Sequence, residues 1–176
     1  MSLLTLFRRT PPAMRPALVR AMSLYPPFVG AGIRIVDVAA DLSHIDVALR
    51  LRPWNRNVVG QHFGGSLYAM CDPFFLFAVS AQLGPQFLVW DRSARIEFRR
   101  PGRGTVRARF AITPAQIADI RAQLARGGKC EPEFCADVLG PAGEVIATVH
   151  KRLWIKDKSA LAAASNPERT HGQPTA

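Results

Sequence analysis

The stretch Asn57-Val-Val-Gly-Gln-His-Phe-Gly-Gly-Ser-Leu-Tyr-Ala-Met-Cys-Asp72 brings together residue types that could do chemistry. Gly64 and Gly65 let a backbone or a ligand approach closely. A helix that starts at such a pair aims free N–H groups at whatever oxygen lies in front of it. Asp72 follows inside an apolar run, where a carboxylate has to be paired, neutralised or used. Donors for a developing oxyanion with a base nearby are parts of a hydrolase.

The elements that would position these groups read as follows. Residues 13–24 form an amphipathic entry helix, stopped by Tyr25-Pro26-Pro27. Residues 33–38 and 44–51 alternate as a hairpin, and 53–65 is a loop. Residues 66–83 are apolar on every side, the pattern of a helix buried all round, and Gly84-Pro85 ends it. A long strand over 87–98 turns at 99–104 and returns over 105–112. Thr113 and Pro114 cap a helix that Gly127-Gly128 closes, and 134–139 and 145–155 make a last hairpin. The expected architecture is α+β: a curved antiparallel sheet wrapped around a long apolar central helix. Residues 1–24 are assigned to an N-terminal tail and entry helix, 25–156 to one domain, and 157–176 to a flexible C-terminal tail.

Composition bounds the function. The 176 residues are 48% hydrophobic, enough for one sizeable core, and mean hydropathy is +0.05. No uninterrupted apolar stretch reaches a membrane span of roughly 20 residues. The three cysteines, Cys71, Cys130 and Cys135, form neither a CxxC pair nor an even framework, which points to a reducing cytoplasm. The histidines show no ligand spacing with each other or with the cysteines, so no metal is expected. A net charge of +10 asks for an anionic partner. The arginines between Arg92 and Arg109 lie in aliphatic strand-like company, without the aromatic platforms of a single-strand binder, which argues against nucleic acid. They read as a solvated sheet face or as phosphate contacts.

Asn57…Gly60, Phe63-Gly-Gly-Ser-Leu-Tyr-Ala-Met70, Asp72-Pro-Phe-Phe75, Val89-Trp-Asp91, Ile96-Glu-Phe98 and Pro101-Gly-Arg-Gly-Thr105 carry a family resemblance. The chain resembles the hotdog-fold thioesterase superfamily, on the side of the phenylacetate-degradation-type acyl-CoA thioesterases. Within that group it is most similar to a bacterial branch labelled a domain of unknown function. The resemblance implies a hotdog domain, acting as a homodimer or a tetramer, that hydrolyses acyl-CoA or acyl-carrier thioesters. It implies no cofactor beyond the coenzyme A of the substrate. By the family pattern the catalytic groups fall on Asn57 before the turn, on Gly64, whose N–H goes to the thioester oxygen, and on Asp72, which activates water or attacks. The resemblance implies that the acid comes from one subunit and the Asn and turn from the other. Asp91 falls where a Ser or Thr often holds the water. His62, Phe63 and Gly65 would line the substrate, and Arg99, Arg100 or Arg103 would meet its phosphates. Phe63 stands where the pattern has His, with His62 one position early. The acyl chain is expected beside Phe74, Phe75 and Phe77 or their equivalents in the partner subunit.

Each residue has a plainer reading. Asp72 before Pro73 is also an N-cap and N1 signature. Asn57 could pin its own loop, and His62 could bond backbone. Asp91 could pair with Arg92, Arg95 or His62, or, set beside Asp72, form an acid/base pair with one raised pKa. Trp90 and Tyr68 read as packing residues. A non-catalytic acyl- or lipid-binding module is the alternative to the enzyme.

Overall fold

The computed structural model describes residues 3–158. Helix α1 (Leu3–Arg9) and helix α2 (Arg15–Ala21) lead through short 3-10 turns to helix α3 (Pro26–Ala31). Strands β1 (Ile33–Val38) and β2 (His44–Arg50) form the expected hairpin. Next come a 3-10 turn at Pro53–Asn55, helix α4 (Gly64–Ala69) and helix α5 (Phe74–Leu83). Strand β3 (Phe87–Phe98), strand β4 (Thr105–Ala111) and helix α6 (Pro114–Gly127) follow, then β5 (Lys129–Cys130), β6 (Glu133–Leu139) and β7 (Val145–Asp157). The entry region holds more helix than expected: Pro26 and Pro27 start α3 at a position where proline costs no hydrogen bond. Phe7 is buried against Phe77, with ring centroids 5.0 Å apart. The flexible tail expected over 157–176 lies almost wholly outside the described residues.

The sheet is antiparallel in the order β1-β2-β4-β6-β7-β3, with β5 added to β7. It wraps the apolar α4–α5 segment, so the architecture is the α+β arrangement of a hotdog fold. The strands β3 and β4 are not hairpin partners: the 99–104 connection carries the chain from the edge strand, which pairs with β7, to the middle of the sheet. Alternation puts Val106, Ala108 and Phe110 of β4 and Phe134, Ala136 and Val138 of β6 on the buried face. Phe74 stacks on Phe110 at 5.1 Å, and Phe75 stacks on Phe134 at 5.0 Å. The Gly64–Leu83 segment is long and apolar enough to cross a membrane by composition, with mean hydropathy 1.2, but 61% of it is buried inside the protein.

The central helix is broken where one continuous helix was expected. Pro73 has no N–H to give the helix and disfavours helical backbone at the residue before it. The bonds leading up to it tighten to three-residue spacing, Cys71 N–H to Tyr68 and Asp72 N–H to Ala69, before α5 resumes. Asp72 sits at this interruption, with its side chain half exposed.

Asn55 fixes the loop that precedes α4. Its amide donates to the carbonyls of Ala31 and Arg50 at 2.8 and 2.9 Å and accepts from the Arg52 N–H at 2.7 Å. Asn55 is buried, and a side chain on Gly32, where φ is +81°, would collide with its amide. Asn55→Ala leaves these backbone groups unsatisfied and should cost about 2 kcal/mol, read as a lower urea midpoint with an unchanged slope.

Candidate active site

Two groups of polar residues sit at opposite ends of α4. At its C-terminal end the Lys151 ammonium donates to Asp72 Oδ1 at 2.8 Å and lies 3.2 Å from Asp91 Oδ1. The Tyr68 ring faces the same ammonium at 5.7 Å. Lys151 is on the inward face of β7, between Val149 and Leu153, and its side chain is 1% exposed. The carboxylates point outward: the Asp72 side chain is 51% exposed and that of Asp91 31%. Asp91 lies next to a β-bulge in its pairing with β7, a local bend that re-aims a side chain.

Burial is the main influence on the Asp91 carboxyl and pushes its pKa up; Lys151 opposes this, and the Asp72 charge adds to it. The rise at Asp91 thus comes chiefly from desolvation, with charge repulsion a lesser cause. Burial pulls the Lys151 pKa down, but the Asp72 hydrogen bond and the charges of both carboxylates outweigh it, and the net shift is upward. The neighbouring Cys71 thiol is pushed up to about 12 by burial, so it is no nucleophile. Asp72 does not cap α5, whose N-cap is Pro73 with no side-chain cap bond. Asp91 pairs with Lys151 and not with Arg92, Arg95 or His62.

At the N-terminal end of α4 the Gly64 and Gly65 N–H groups meet no acceptor among the described residues. A surface cleft of about 400 Å³ opens beside them, lined by Asn57, His62, Gly64, Phe98, Arg99 and Arg100 among others. Phe98 lies over Gly64, where an added Cβ would come within 3.0 Å of the ring. The Phe63 ring lies over Gly65 in the same way, and over half of the Phe63 surface remains exposed. Asn57 is occupied with its own loop: Oδ1 accepts from the Val59 and Gln61 N–H groups at 3.0 Å, and its amide reaches the His62 carbonyl at 3.3 Å. Arg103 lines an adjoining depression with Arg100, Pro101 and Glu144. All the arginines from Arg92 to Arg109 are exposed, and Arg109 pairs with Asp46.

His62 is buried, with Nε2 3.1 Å from the Gly104 carbonyl. That contact makes Nε2 the protonated nitrogen and leaves Nδ1 as a buried acceptor with no partner among the described residues. Burial lowers the His62 pKa, with the Gly104 bond opposing. The stability this neutral ring contributes is full above the ordinary value of 6.5 and is lost as pH falls through the depressed folded value. Melting temperature measured from about pH 8 to about pH 5 should fall more steeply in the wild type than in His62→Gln.

Two expectations are corrected. Phe74, Phe75 and Phe77, beside which the acyl chain was expected, are buried in the ring stacks of the core and line none of these clefts within the protomer. Trp90 is 59% exposed, so it is no core residue. The sequence reading also missed Lys151. Its signal was legible: a lysine on the apolar face of a strand that otherwise alternates Val149, Leu153 and Ile155. Asp37, His44 and Asp46 gather on β1 and β2, away from both clusters, where Arg20 and Arg109 pair with the carboxylates.

The two ends stand apart along the chain of one protomer. At a helical rise of about 1.5 Å per residue, the eight positions from Gly64 to Asp72, which lies just past α4, correspond to roughly 12 Å.

Solved structures share this fold. A Pseudomonas aeruginosa protein described as a probable thioesterase matches with a TM-score of 0.69 at 20% identity, over 80% of this chain and 95% of its own. A thioesterase from Haemophilus influenzae matches with a TM-score of 0.60 at 14% identity, over 81% and 90%. The phenylacetic acid degradation protein PaaI from Thermus thermophilus, as a point mutant, matches with a TM-score of 0.50 at 22% identity, over 73% and 97%. No curated protein matches the sequence. One family model spans residues 15–155, and by it the chain belongs to DUF4442, a domain of unknown function.

Proposed function

We propose that the protein hydrolyses acyl-CoA-type thioesters at a site shared by two protomers. The observation that carries this reading is the separation of a carboxylate pair from a set of free N–H groups along one edge strand. β3 pairs only with β7, so its outer edge is open among the described residues. Asp91 near its start marks the carboxylate end and Phe98 at its finish the Gly64 end. Two copies joined antiparallel through this edge, centred between Ala94 and Arg95, set Asp91 of one beside Phe98 of the other. Asp72 then faces the partner's Gly64.

In that arrangement the thioester carbonyl accepts from the Gly64 N–H, worth about 3 kcal/mol as charge develops on the oxygen. Asp72 takes a proton from water, or attacks the carbonyl carbon itself. Arg99 and Arg100 give the cleft a charge suited to coenzyme A phosphates, and Leu67 and Phe98 offer apolar contact to the acyl group. This reading puts the protein's work in the cytoplasm, the compartment that the unpaired cysteines point to.

A second reading, an acyl- or lipid-binding module without hydrolysis, is favoured by one observation: Phe63 replaces the turn histidine and its ring covers Gly65. The deciding assay is thiol release from a panel of aromatic and aliphatic acyl-CoA thioesters. Turnover supports the enzyme; saturable binding with no thiol released supports the module.

A further inference from the structure

We propose that Lys151 is a positioning residue, holding Asp72 and Asp91 by one oxygen each so that the two carboxylates act together on a single water. The proposal rests on the thioester-hydrolysis reading and names a group that neither the family pattern nor the sequence motifs contain. Among the described residues no other lysine, arginine or carboxylate is as deeply buried.

An ammonium in that position is expensive. Its flanking positions on the same face of β7 are Val149 and Leu153, and strand neighbours place Ala94 and Phe134 in register with it. A hydrophobic side chain there would pack as well and avoid the desolvation of a charge. The titratable groups facing it are Asp72 from the break after α4, Asp91 from β3, and Tyr68 and Cys71 from α4 and its end. Stability alone does not account for a buried cation beneath two acids that are themselves open to water.

The geometry gives each carboxylate a division of labour. Oδ1 of Asp72 accepts from Lys151 and Oδ1 of Asp91 lies beside it, which leaves both Oδ2 atoms without a partner among the described residues. A water between them gives one proton to Asp72 as its oxygen bonds to the thioester carbon, while Asp91 accepts from its other hydrogen. The carbonyl π electrons move to oxygen and return as the carbon–sulfur bond breaks. The proton on Asp72 passes to the departing thiolate, so water and thioester become acid and thiol. Lys151 keeps its three protons throughout and acts only through the two acids.

The test uses the full chain as wild type, Lys151→Met, which conserves length and volume, and Lys151→Arg. Lys151→Met should lower kcat by about 100-fold with KM nearly unchanged, and Lys151→Arg should restore at least about a tenth of the wild-type rate. In ¹³C spectra the Asp91 carboxyl of Lys151→Met should titrate at higher pH, because the cation that favoured its ionised form is gone. A variant that melts differently but keeps the kcat pH profile and the Asp91 titration of the wild type overturns the proposal. If Lys151→Met does not fold, Lys151→Gln carries the same readouts. If the wild type hydrolyses none of the thioesters, the hydrolase reading fails by itself. The Asp91 titration then decides whether Lys151 governs that carboxyl: an upward shift keeps the positioning role, and no shift ends it.

Discussion

Asp72→Asn lowers the rate of thiol release from acyl-CoA substrates by about 1,000-fold and moves the melting temperature by no more than about 2 °C. The two halves of this result follow from different features of the same side chain. The amide has no proton-accepting power comparable to a carboxylate, so the water is no longer activated and no nucleophile remains. The fold does not depend on the charge, because the Asp72 side chain is 51% exposed and takes no part in capping α5. Its replacement keeps an oxygen that can accept from Lys151, and Lys151 retains Asp91 as counterion. A cap would differ in the rate alone, since Asn caps as well as Asp and activity would be preserved. Equal rates for wild type and variant across the whole panel would remove Asp72 from the chemistry and leave the binding module as the better account.

The parts of the fold that were legible in the sequence are those governed by local rules. The Thr113-Pro114 start of α6 forms a capping box with Gln116, and Gly128 closes the helix with φ +67°. The β1–β2 and β6–β7 hairpins follow their alternation. What was not legible depends on partners distant along the chain. The alternation of β3 and β4 does not reveal that their mates are β7 on one side and β2 and β6 on the other. Apolar periodicity carried the helix through Pro73, because the residues on both sides are buried and the pattern does not register one missing N–H. The carboxylates were found from a motif, but the residue that joins them was not. Lys151 lies 79 positions from Asp72; the pairing of β7 with β3 sets it near Asp91, and the break after α4 brings Asp72 to the same ammonium.

The Gly64 N–H can be deleted almost alone. Proline at Gly64 removes the hydrogen and nothing else that the backbone needs, since the first position of a helix tolerates proline well. Phe63 already has the extended conformation, φ −67° and ψ 128°, that a residue before proline adopts. Gly64 is not among the glycines with positive φ, and the ring that a new side chain would meet belongs to Phe98, which is 56% exposed and free to turn. Gly64→Pro should therefore melt at or above the wild-type temperature while losing about 100- to 1,000-fold in kcat. Mixing it with Asp72→Asn tests the shared site directly. After subunit exchange, a mixed dimer holds one site with both defects and one with neither. An equimolar mixture of two nearly inactive proteins should then recover about a quarter of the wild-type rate. Sites built within single protomers would recover nothing, because every one of them would carry a defect. Recovery therefore requires that the acid and the oxyanion donor come from different chains, as expected when Gly64 opens α4 and Asp72 follows its far end.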